Sequence, residues 1–212
     1  NNDTFDYWGG NDGTNVGATY TTADCKAGGC YSFDGNDYIN ATAGTNFSGD
    51  YSISTWVYAT GSGDRGIVGA GYATNYLNYL QWHSDNKIRW HIYDDVTGVT
   101  LPSTNSFSPS NWYHVVGVRN TTLDKLILYV DGVNEGSATD PTTQTPSVVS
   151  IQIGKYPSID TQYFSGLIDE VQIYNRSLSA AEVRQLYRGG VYQKEMNSSE
   201  TSWSQEWIFG AR

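Results

Sequence analysis

The feature that most constrains the fold of this chain is a series of short segments, between residues 31 and 174, in which apolar and polar side chains alternate. The segments are rich in Val, Ile, Tyr, Trp and Thr, and clusters of Gly, Asn, Asp and Pro separate them. Successive side chains of a strand point to opposite faces, so each segment predicts a half-buried strand. The number and spacing of the segments predict an all-β fold, a two-sheet antiparallel sandwich. The predicted strands are 51–58, 66–71, 77–83, 87–93, 112–119, 123–130, 149–154 and 164–174, with shorter pieces at 30–33 and 38–39.

One segment after the last long strand predicts a helix. Ser179 and Glu182 have the spacing of a capping box, in which each side chain bonds to the backbone N–H of the other residue. Apolar residues follow on one face, and Gly189 supplies a helix stop, so we expect the short C-terminal helix to end near Arg188.

The residues beyond this helix form a separate tail. We divide the chain into a sandwich, residues 1–190, and a tail, residues 191–212. The tail contains four residues that share one face of an extended strand, and three of the four are aromatic. A solvated tail does not normally carry such a face, so we expect this strand to be buried. The four residues are Trp203, Gln205, Trp207 and Phe209.

The charge of the chain excludes some partners. Of its 212 residues, 12 are Lys or Arg and 22 are Asp or Glu, which gives a formal net charge of −10. That charge repels phosphate backbones and anionic lipid headgroups, so nucleic acid is not an expected partner and cations are. The sequence contains no apolar run of the roughly 18 residues that crossing a bilayer requires, so we expect no membrane insertion.

Cysteines and glycosylation sequons indicate an exported protein. Cys25 and Cys30 lie close in sequence, and Gly28 and Gly29 between them permit a tight reversal, which favours a disulfide over two free thiols. A disulfide is typical of an oxidising compartment or of a thermophile. Candidate glycosylation sites in Asn-x-Ser/Thr sequons are Asn2, Asn40, Asn46, Asn120, Asn175 and Asn197. We therefore expect an extracellular or cell-surface protein.

Several segments, in order, resemble one domain family. The most specific are Ser-Phe-Asp-Gly-Asn-Asp-Tyr-Ile at 32–39 and Ile-Asp-Glu-Val at 168–171, followed by Leu-Ser-Ala-Ala-Glu at 178–182. The likeness covers roughly residues 5–188 and resembles the laminin-G-like domain of concanavalin A-like lectins and glucanases in microbial surface proteins. It implies a jelly roll of two stacked sheets with a short helix after the last long strand. The resemblance also implies a carbohydrate-binding or adhesive module of a cell-surface protein, with glycans or surface glycoproteins as partners.

The resemblance also points to a second class of function. The family domain normally opens with a strand that carries Trp and Phe, and we expect this chain to begin too late to include it. A sandwich without that strand leaves an edge open to another strand. We expect the tail strand near 203–209 to fill it, in its own chain or in a neighbouring copy. Pairing between copies would make the protein a structural subunit of a surface filament or array that self-associates by strand exchange.

The resemblance implies a structural calcium ion. Calcium binds six to eight oxygen ligands from carboxylates, backbone carbonyls and water. Carried over position by position, the family site is built from Asp6, Asn11, Gly35, Asp37 and Asp169. The alternative is that the residues around Asp37 only build a turn and that Asp169 is a solvated strand residue.

The sequence offers little support for an enzyme. Retaining glucanases need two carboxylates about 5 Å apart, but the neighbours Asp169 and Glu170 point to opposite faces of a strand. The nucleophile motif Gly-x-Ser-x-Gly and a Gly-rich phosphate loop are both absent from the sequence. We therefore expect a protein that is not an enzyme, although a glycan-degrading activity stays open as a weaker alternative.

The hairpin predicted over residues 77–93 carries the candidate ligand surface. A three-residue loop at 84–86 sets a register in which Leu80 and Trp82 face the core opposite Trp90 and Ile88. The opposite face, which we call the hairpin face, combines aromatic rings with hydrogen-bonding groups, as sugar-binding surfaces do. The alternatives are a sheet face covered by loops and a zinc site at the two histidines, for which a third ligand is lacking. The hairpin face consists of Tyr79, Gln81, His83, Arg89, His91 and Tyr93.

Overall fold

A computed structural model describes residues 12–42, 49–72, 76–143, 148–157, 161–189 and 206–209. Fifteen strands and one helix follow in chain order within these ranges. The strands are β1 (Gly13–Val16), β2 (Thr19–Thr21), β3 (Cys30–Asp34), β4 (Tyr38–Thr42), β5 (Tyr51–Ala59), β6 (Arg65–Tyr72), β7 (Tyr76–Trp82), β8 (Ile88–Asp94), β9 (Gly98–Pro102), β10 (Trp112–Asn120), β11 (Lys125–Val130), β12 (Val133–Thr139), β13 (Val148–Ile153), β14 (Ser165–Tyr174) and β15 (Glu206–Phe209). The helix α1 spans Ala180–Tyr187.

The strands form two antiparallel sheets, which confirms the predicted all-β sandwich with one short helix. Sheet A has the order β1-β4-β13-β6-β7-β8-β9. Sheet B has the order β12-β11-β10-β5-β14-β3-β2, and β15 also pairs with β14. Neighbours that are far apart in sequence, such as β5 and β14, are typical of the crossed connections of a jelly roll.

The core lies between the inner faces of the two sheets. Alternation is clearest in β8, where Ile88, Trp90 and Ile92 are buried and the residues between them are partly exposed. The Trp90 ring meets the Tyr51 ring of the opposite sheet edge-on, with ring centroids 5.9 Å apart. Both Trp82 and Trp90 are fully buried, which is the inward orientation that the hairpin register predicted.

The outer face of sheet B carries a second apolar cluster beneath α1. Val183 of the helix packs there with Val116, Tyr174 and Leu178. The helix begins as predicted, because the Ser179 side chain accepts the Glu182 N–H and the Glu182 carboxylate accepts the Ser179 N–H. No helix in the described ranges has the length and apolar character needed to cross a bilayer.

The predicted strands are all present, with some shifts at their ends. The strand expected from residue 123 begins at Lys125, because residues 121–124 form a turn. Four further strands, β1, β2, β9 and β12, were not predicted. One of them, β12, is the hairpin partner of β11. All four lie at the edges of the two sheets, where a strand pairs with a single neighbour. Strands such as β12 are mostly polar and show little alternation of apolar and polar residues.

The predicted tail strand pairs within its own chain. Residues Glu206–Phe209 lie antiparallel to Val171–Tyr174 of β14. Strand β3 pairs with the preceding part of the same β14 edge, from Ser165 to Ile168, so β15 extends the sheet where β3 ends. Trp203 and Gln205 lie outside the described residues, and the division of the chain at residue 190 stays a prediction.

The predicted disulfide is present and closes a small loop beside β14. Cys25 and Cys30 are joined, with their Cα atoms 5.5 Å apart. Asp169 holds this loop in place, because its Oδ2 accepts the backbone N–H groups of Lys26 at 3.0 Å and Ala27 at 2.9 Å. Its Oδ1 accepts the Glu170 N–H at 2.9 Å. The carboxylate, only 2% exposed, is therefore an anchor for the disulfide loop.

Candidate functional site

The β7–β8 hairpin brings all six hairpin-face residues to the outer face of sheet A. The predicted register is confirmed, since Leu80 pairs with Trp90 and Trp82 with Ile88. The loop closes through a hydrogen bond from the His83 N–H to the Lys87 carbonyl, and Asn86 takes the left-handed φ of 60° that ends the three-residue turn.

A loop crosses this face and covers part of it. Tyr79 and Gln81 are each only 6% exposed. The Tyr156 ring lies 4.3 Å from the Tyr79 ring, and Gln81 Nε2 donates to Gln162 Oε1 at 3.3 Å. Burial raises the pKa of Tyr79, which stays neutral. These two residues are therefore structural supports, and the part of the hairpin face that solvent reaches consists of His83, Arg89, His91 and Tyr93.

His91 is a rigid, neutral member of the open part. Its ring stacks on Tyr79 with centroids 4.7 Å apart and an interplanar angle of 29°. Its Nδ1 lies 2.6 Å from the hydroxyl oxygen of Thr100 on β9. Burial lowers the pKa of His91 to about 4, so the imidazole is uncharged at neutral pH and offers one donor and one acceptor.

Charged groups gather at the tip of the hairpin. His83 lies between two carboxylates, with Nε2 3.2 Å from Asp64 Oδ1 and Nδ1 2.9 Å from Asp85 Oδ1. Arg89 pairs with the other Asp85 oxygen at 2.8 Å. Slight burial raises the Asp85 pKa, but hydrogen bonds from the Lys87 N–H, His83 and Arg89 outweigh it and lower the pKa to about 2. The guanidinium is thereby held in one place above the sheet.

Asp64 was not predicted as part of this surface. It precedes β6 in sequence and reaches the hairpin only because β6 and β7 are neighbours. Its carboxylate also accepts the Ser84 N–H at 2.9 Å. Burial raises the Asp64 pKa, and the hydrogen bonds from Ser84 together with His83 and Arg89 lower it overall. A loop aspartate without a surrounding motif gives no signal that sequence reasoning could have used.

The two histidines expected as an alternative zinc pair do not share a site. His83 is bound by two aspartates at the hairpin tip, whereas His91 lies mid-strand opposite Tyr79. In the part of the chain that the structure describes, no three His, Cys, Asp or Glu side chains are grouped to hold a metal ion.

The expected calcium residues are only partly brought together. Gly35 and Asp37 lie in one turn, where Gly35 has φ of 104° and Asp37 Oδ2 accepts the Asp34 N–H at 2.9 Å. Burial raises the Asp37 pKa most, with a smaller opposing contribution from that backbone hydrogen bond. Asp169 lies elsewhere, because Asp34 pairs with Ser165, four residues along β14 and about 13 Å away at strand spacing. Asp6 and Asn11 lie outside the described residues.

Three of the candidate glycosylation asparagines lie within the described ranges. Asn175 is exposed directly after β14. Asn120 is partly buried, and its side chain donates to the Ser177 hydroxyl and accepts the Leu123 N–H. Asn40 is partly buried in the middle of β4, between β1 and β13. The others, Asn2, Asn46 and Asn197, lie outside the described residues.

Comparison with solved structures identifies domains of the same fold in other proteins. Domain 4 of AbnA, an extracellular arabinanase from Geobacillus stearothermophilus solved in complex with arabinotriose, is 21% identical, with a TM-score of 0.71 over 88% of this chain and 93% of that domain. The binding domain of Paraclostridial Mosquitocidal Protein 1 is 17% identical, with a TM-score of 0.71 over 85% of this chain. This chain spans about half of that binding domain, 48% of its length.

A more distant similarity reaches an animal protein. The SAP-like pentraxin of Limulus polyphemus is 12% identical, with a TM-score of 0.60 over 74% of this chain and 80% of that one. No curated protein sequence matches the chain significantly. The family model described as the concanavalin A-like lectin/glucanases superfamily, of the laminin G type, matches residues 33–184. Because this match covers most of the sandwich, the chain belongs to the concanavalin A-like lectin/glucanase superfamily.

Proposed function

We propose that this protein is an extracellular carbohydrate-binding domain whose glycan surface is the open part of the hairpin face. The observation that carries the proposal is the register of β7 and β8, which puts Tyr93, His91, Arg89 and His83 in a row along one outer sheet face. The similarity to domain 4 of AbnA, which was solved with arabinotriose, supports it.

The chemistry of the open residues suits a neutral glycan. An aromatic ring can pack against the apolar face of a sugar, and Arg89 and neutral His91 can bond to hydroxyl groups. The support beneath them is rigid, because His91 stacks on buried Tyr79 and Arg89 pairs with Asp85. Asp64 and Asp85 at the hairpin tip repel anions, so this face disfavours anionic glycans.

Glycan-array binding by variants with one tyrosine removed tests this proposal. We expect Tyr93→Ala to reduce binding of arabinan-type or other neutral oligosaccharides by roughly five- to tenfold, since a well-placed aromatic contact contributes about 1 to 1.5 kcal/mol. Tyr187→Ala is the matched control, because Tyr187 is exposed on α1 at the outer face of the other sheet. Equal binding by both variants would reject this surface, and no binding by the wild type would reject the function.

We also propose a calcium ion near the turn that contains Gly35 and Asp37, with Asp6 and Asn11 as further ligands. Asp37 is 6% exposed, and a buried carboxylate with one backbone hydrogen bond has lone pairs left for a cation. Asp169 is left out of this set, because its oxygens already accept three backbone N–H groups. Calcium should raise the melting temperature of the wild type but not of Asp37→Asn, measured by calorimetry with and without chelator.

A second candidate function is that of a structural subunit which self-associates by strand exchange. One observation favours it, since β15 follows the helix as an appended strand and contributes only four residues to the β14 edge. Exchange of β15 between copies would produce assemblies that grow with concentration and disappear when residues 203–212 are deleted. Sedimentation of the full chain and of the deletion over a wide concentration range tests this candidate, and a full chain that stays monomeric throughout rejects it.

A further inference from the structure

A small cavity lies on the outer face of sheet B, on the opposite side of the molecule from the hairpin face. It occupies about 180 Å³ between the disulfide loop and the end of α1. That volume exceeds the roughly 30 Å³ share of one water molecule and falls short of a typical drug-sized pocket, so it suits one small molecule. Its lining includes Lys26, Ser54, Trp56, His114, Glu170 and Gln172.

The floor of the cavity is polar although it is deeply buried. Ser54 and His114 are each 2% exposed and Gln172 is 5% exposed, and they come from three adjacent strands, β5, β10 and β14. Further along β10 the same outer face carries Val116 and Val118, which pack beneath α1. The change from valines to polar side chains coincides with the C-terminal end of the helix, where Tyr187 stacks on His114.

His114 has an unused hydrogen-bonding atom in this floor. Its Nε2 lies 2.9 Å from Ser54 Oγ, whereas Nδ1 is buried and has no partner among the described residues. Burial and the nearby Lys26 lower the pKa of His114 to about 4, so the ring is neutral at pH 7. We assign the Ser54 hydroxyl as the donor to Nε2, because it has no other acceptor in the described part of the chain. This assignment puts the ring proton on Nδ1, which is then a donor.

Two further donors face the same space. The Tyr174 hydroxyl donates to Gln172 Oε1, which leaves the Nε2 amide group of Gln172 as the donating end. The Lys26 ammonium lies 3.9 Å from the centroid of the Trp56 ring, at the cavity rim. Glu170, which also lines the cavity, has φ of 48° at a bulge in β14 that aims its side chain away from the regular pleat.

We propose that this cavity binds a small hydroxy-carboxylate, such as a single uronic acid. The carboxylate accepts hydrogen bonds from His114 Nδ1, the Gln172 amide and the Lys26 ammonium, and a hydroxyl of the ligand donates to Glu170. Charge-assisted hydrogen bonds to a carboxylate are among the stronger ones in proteins. The site is separate from the hairpin face and does not depend on the proposed function.

Imidazole nitrogen NMR of the full chain with three ligands tests this proposal. The chain has three histidines, and His114→Gln assigns the His114 signals. Glucuronate and acetate should shift the His114 nitrogens saturably, with glucuronate binding more tightly because only it also has hydroxyl groups for Glu170. Glucose, which has no carboxylate, should leave them unchanged. An equal shift with glucose, or no shift with millimolar glucuronate, overturns the proposal.

Lysine variants separate this site from a general charge effect. Lys26→Met should weaken glucuronate binding about tenfold, as loss of a charge-assisted hydrogen bond predicts. Lys125→Met removes the same charge from the exposed first residue of β11 and should leave binding unchanged. Equal weakening by both variants also overturns the proposal. Tyr93→Ala, which tests the hairpin face, should not affect these shifts, so failure of either site is recognised independently.

Discussion

At the scale of single residues, His114 shows how burial favours the neutral, hydrogen-bonded form of an imidazole over the charged form. It is 2% exposed in sheet B, its Nε2 lies beside the Ser54 hydroxyl, and its ring lies 5.0 Å from the Trp56 ring. A protonated imidazole here would be desolvated and close to the Lys26 ammonium. Its pKa is therefore lowered by burial and by Lys26, to about 4.

This lowered pKa predicts a specific dependence of stability on pH. The unfolded chain takes up the His114 proton near pH 6.5, whereas the folded chain resists it until about pH 4. The unfolded state therefore binds more protons in this window, and the free energy of unfolding falls by up to about 3 kcal/mol as the pH drops through it. Urea titrations at several pH values measure this slope.

The control for the pH prediction is His114→Gln, which keeps a hydrogen-bonding group but cannot titrate. Its pH slope between 6.5 and 4 should be smaller than that of the wild type by the His114 contribution, whatever its stability at pH 7. Parallel slopes for the two proteins would contradict the assignment. His91, whose pKa burial also lowers to about 4, contributes equally to both slopes and cancels in the comparison.

Gly117 is a residue whose missing side chain is required by the core. A Cβ added to it would lie 2.7 Å from the Trp90 indole, which is fully buried. Gly117→Ala should lower the free energy of unfolding by about 1–3 kcal/mol through overpacking, measured by urea denaturation. Gly49→Ala, where the added methyl meets nothing within 4 Å among the described residues, is the matched control and should be nearly neutral. Similar losses in both variants would show that the packing argument is wrong.

At the scale of elements, the disulfide loop lies against the outer face of sheet B, and several hydrogen bonds from and to the sheet hold it there. Asp169 accepts two of its N–H groups, and the Trp112 Nε1–H donates to the Asp24 carbonyl at 2.9 Å. The Lys26 side chain then reaches over Trp56. The sequence indicated the disulfide. It did not indicate that Asp169 anchors the loop, because a mid-strand aspartate gives no sign of which N–H groups it meets, and the family resemblance instead implied a calcium ligand at this position.

Removing the disulfide should loosen this cover without unfolding the sandwich. Closing a loop of about six residues stabilises by about 2 kcal/mol in the chain-entropy model. We therefore expect Cys25→Ala/Cys30→Ala to lower the free energy of unfolding by about that amount in urea. The same loss should appear when the wild type is reduced, and the reductant should leave the double variant unchanged. A larger loss would mean that the whole fold depends on the loop.

At the scale of the whole molecule, β15 links the tail to the sandwich by extending sheet B along the β14 edge. The backbone groups of Val171–Tyr174 that pair with β15 become solvent-exposed when the tail is removed. Deleting residues 203–212 should therefore speed amide hydrogen exchange at those residues of 171–174 whose N–H groups point to β15, whereas the alternate N–H groups, which point to β5, and residues 165–168, which pair with β3, stay protected. Unchanged exchange at residues 171–174 would contradict the pairing, and faster exchange along all of β14 would indicate a wider role for the tail.

Local patterns of residues were enough to predict the sandwich, its central strands, the β7–β8 register, the capped helix and the disulfide. These features depend on alternation and spacing between residues near one another in sequence, and central strands such as β5 and β10 are rich in apolar residues because most of their side chains are buried. The edge strands β1, β2, β9 and β12 escaped prediction because a single neighbour leaves their polar side chains in solvent.

Contacts between distant segments determine which part of the hairpin face is open and which groups share a cavity. Tyr79 and Gln81 are covered because a loop about 80 residues later folds over them, and Asp64 joins the face through the pairing of β6 with β7. The cavity beside His114 needs three strands, a helix end and the disulfide loop. Contacts between residues so distant in sequence leave no periodic trace, because each segment satisfies only its own local pattern.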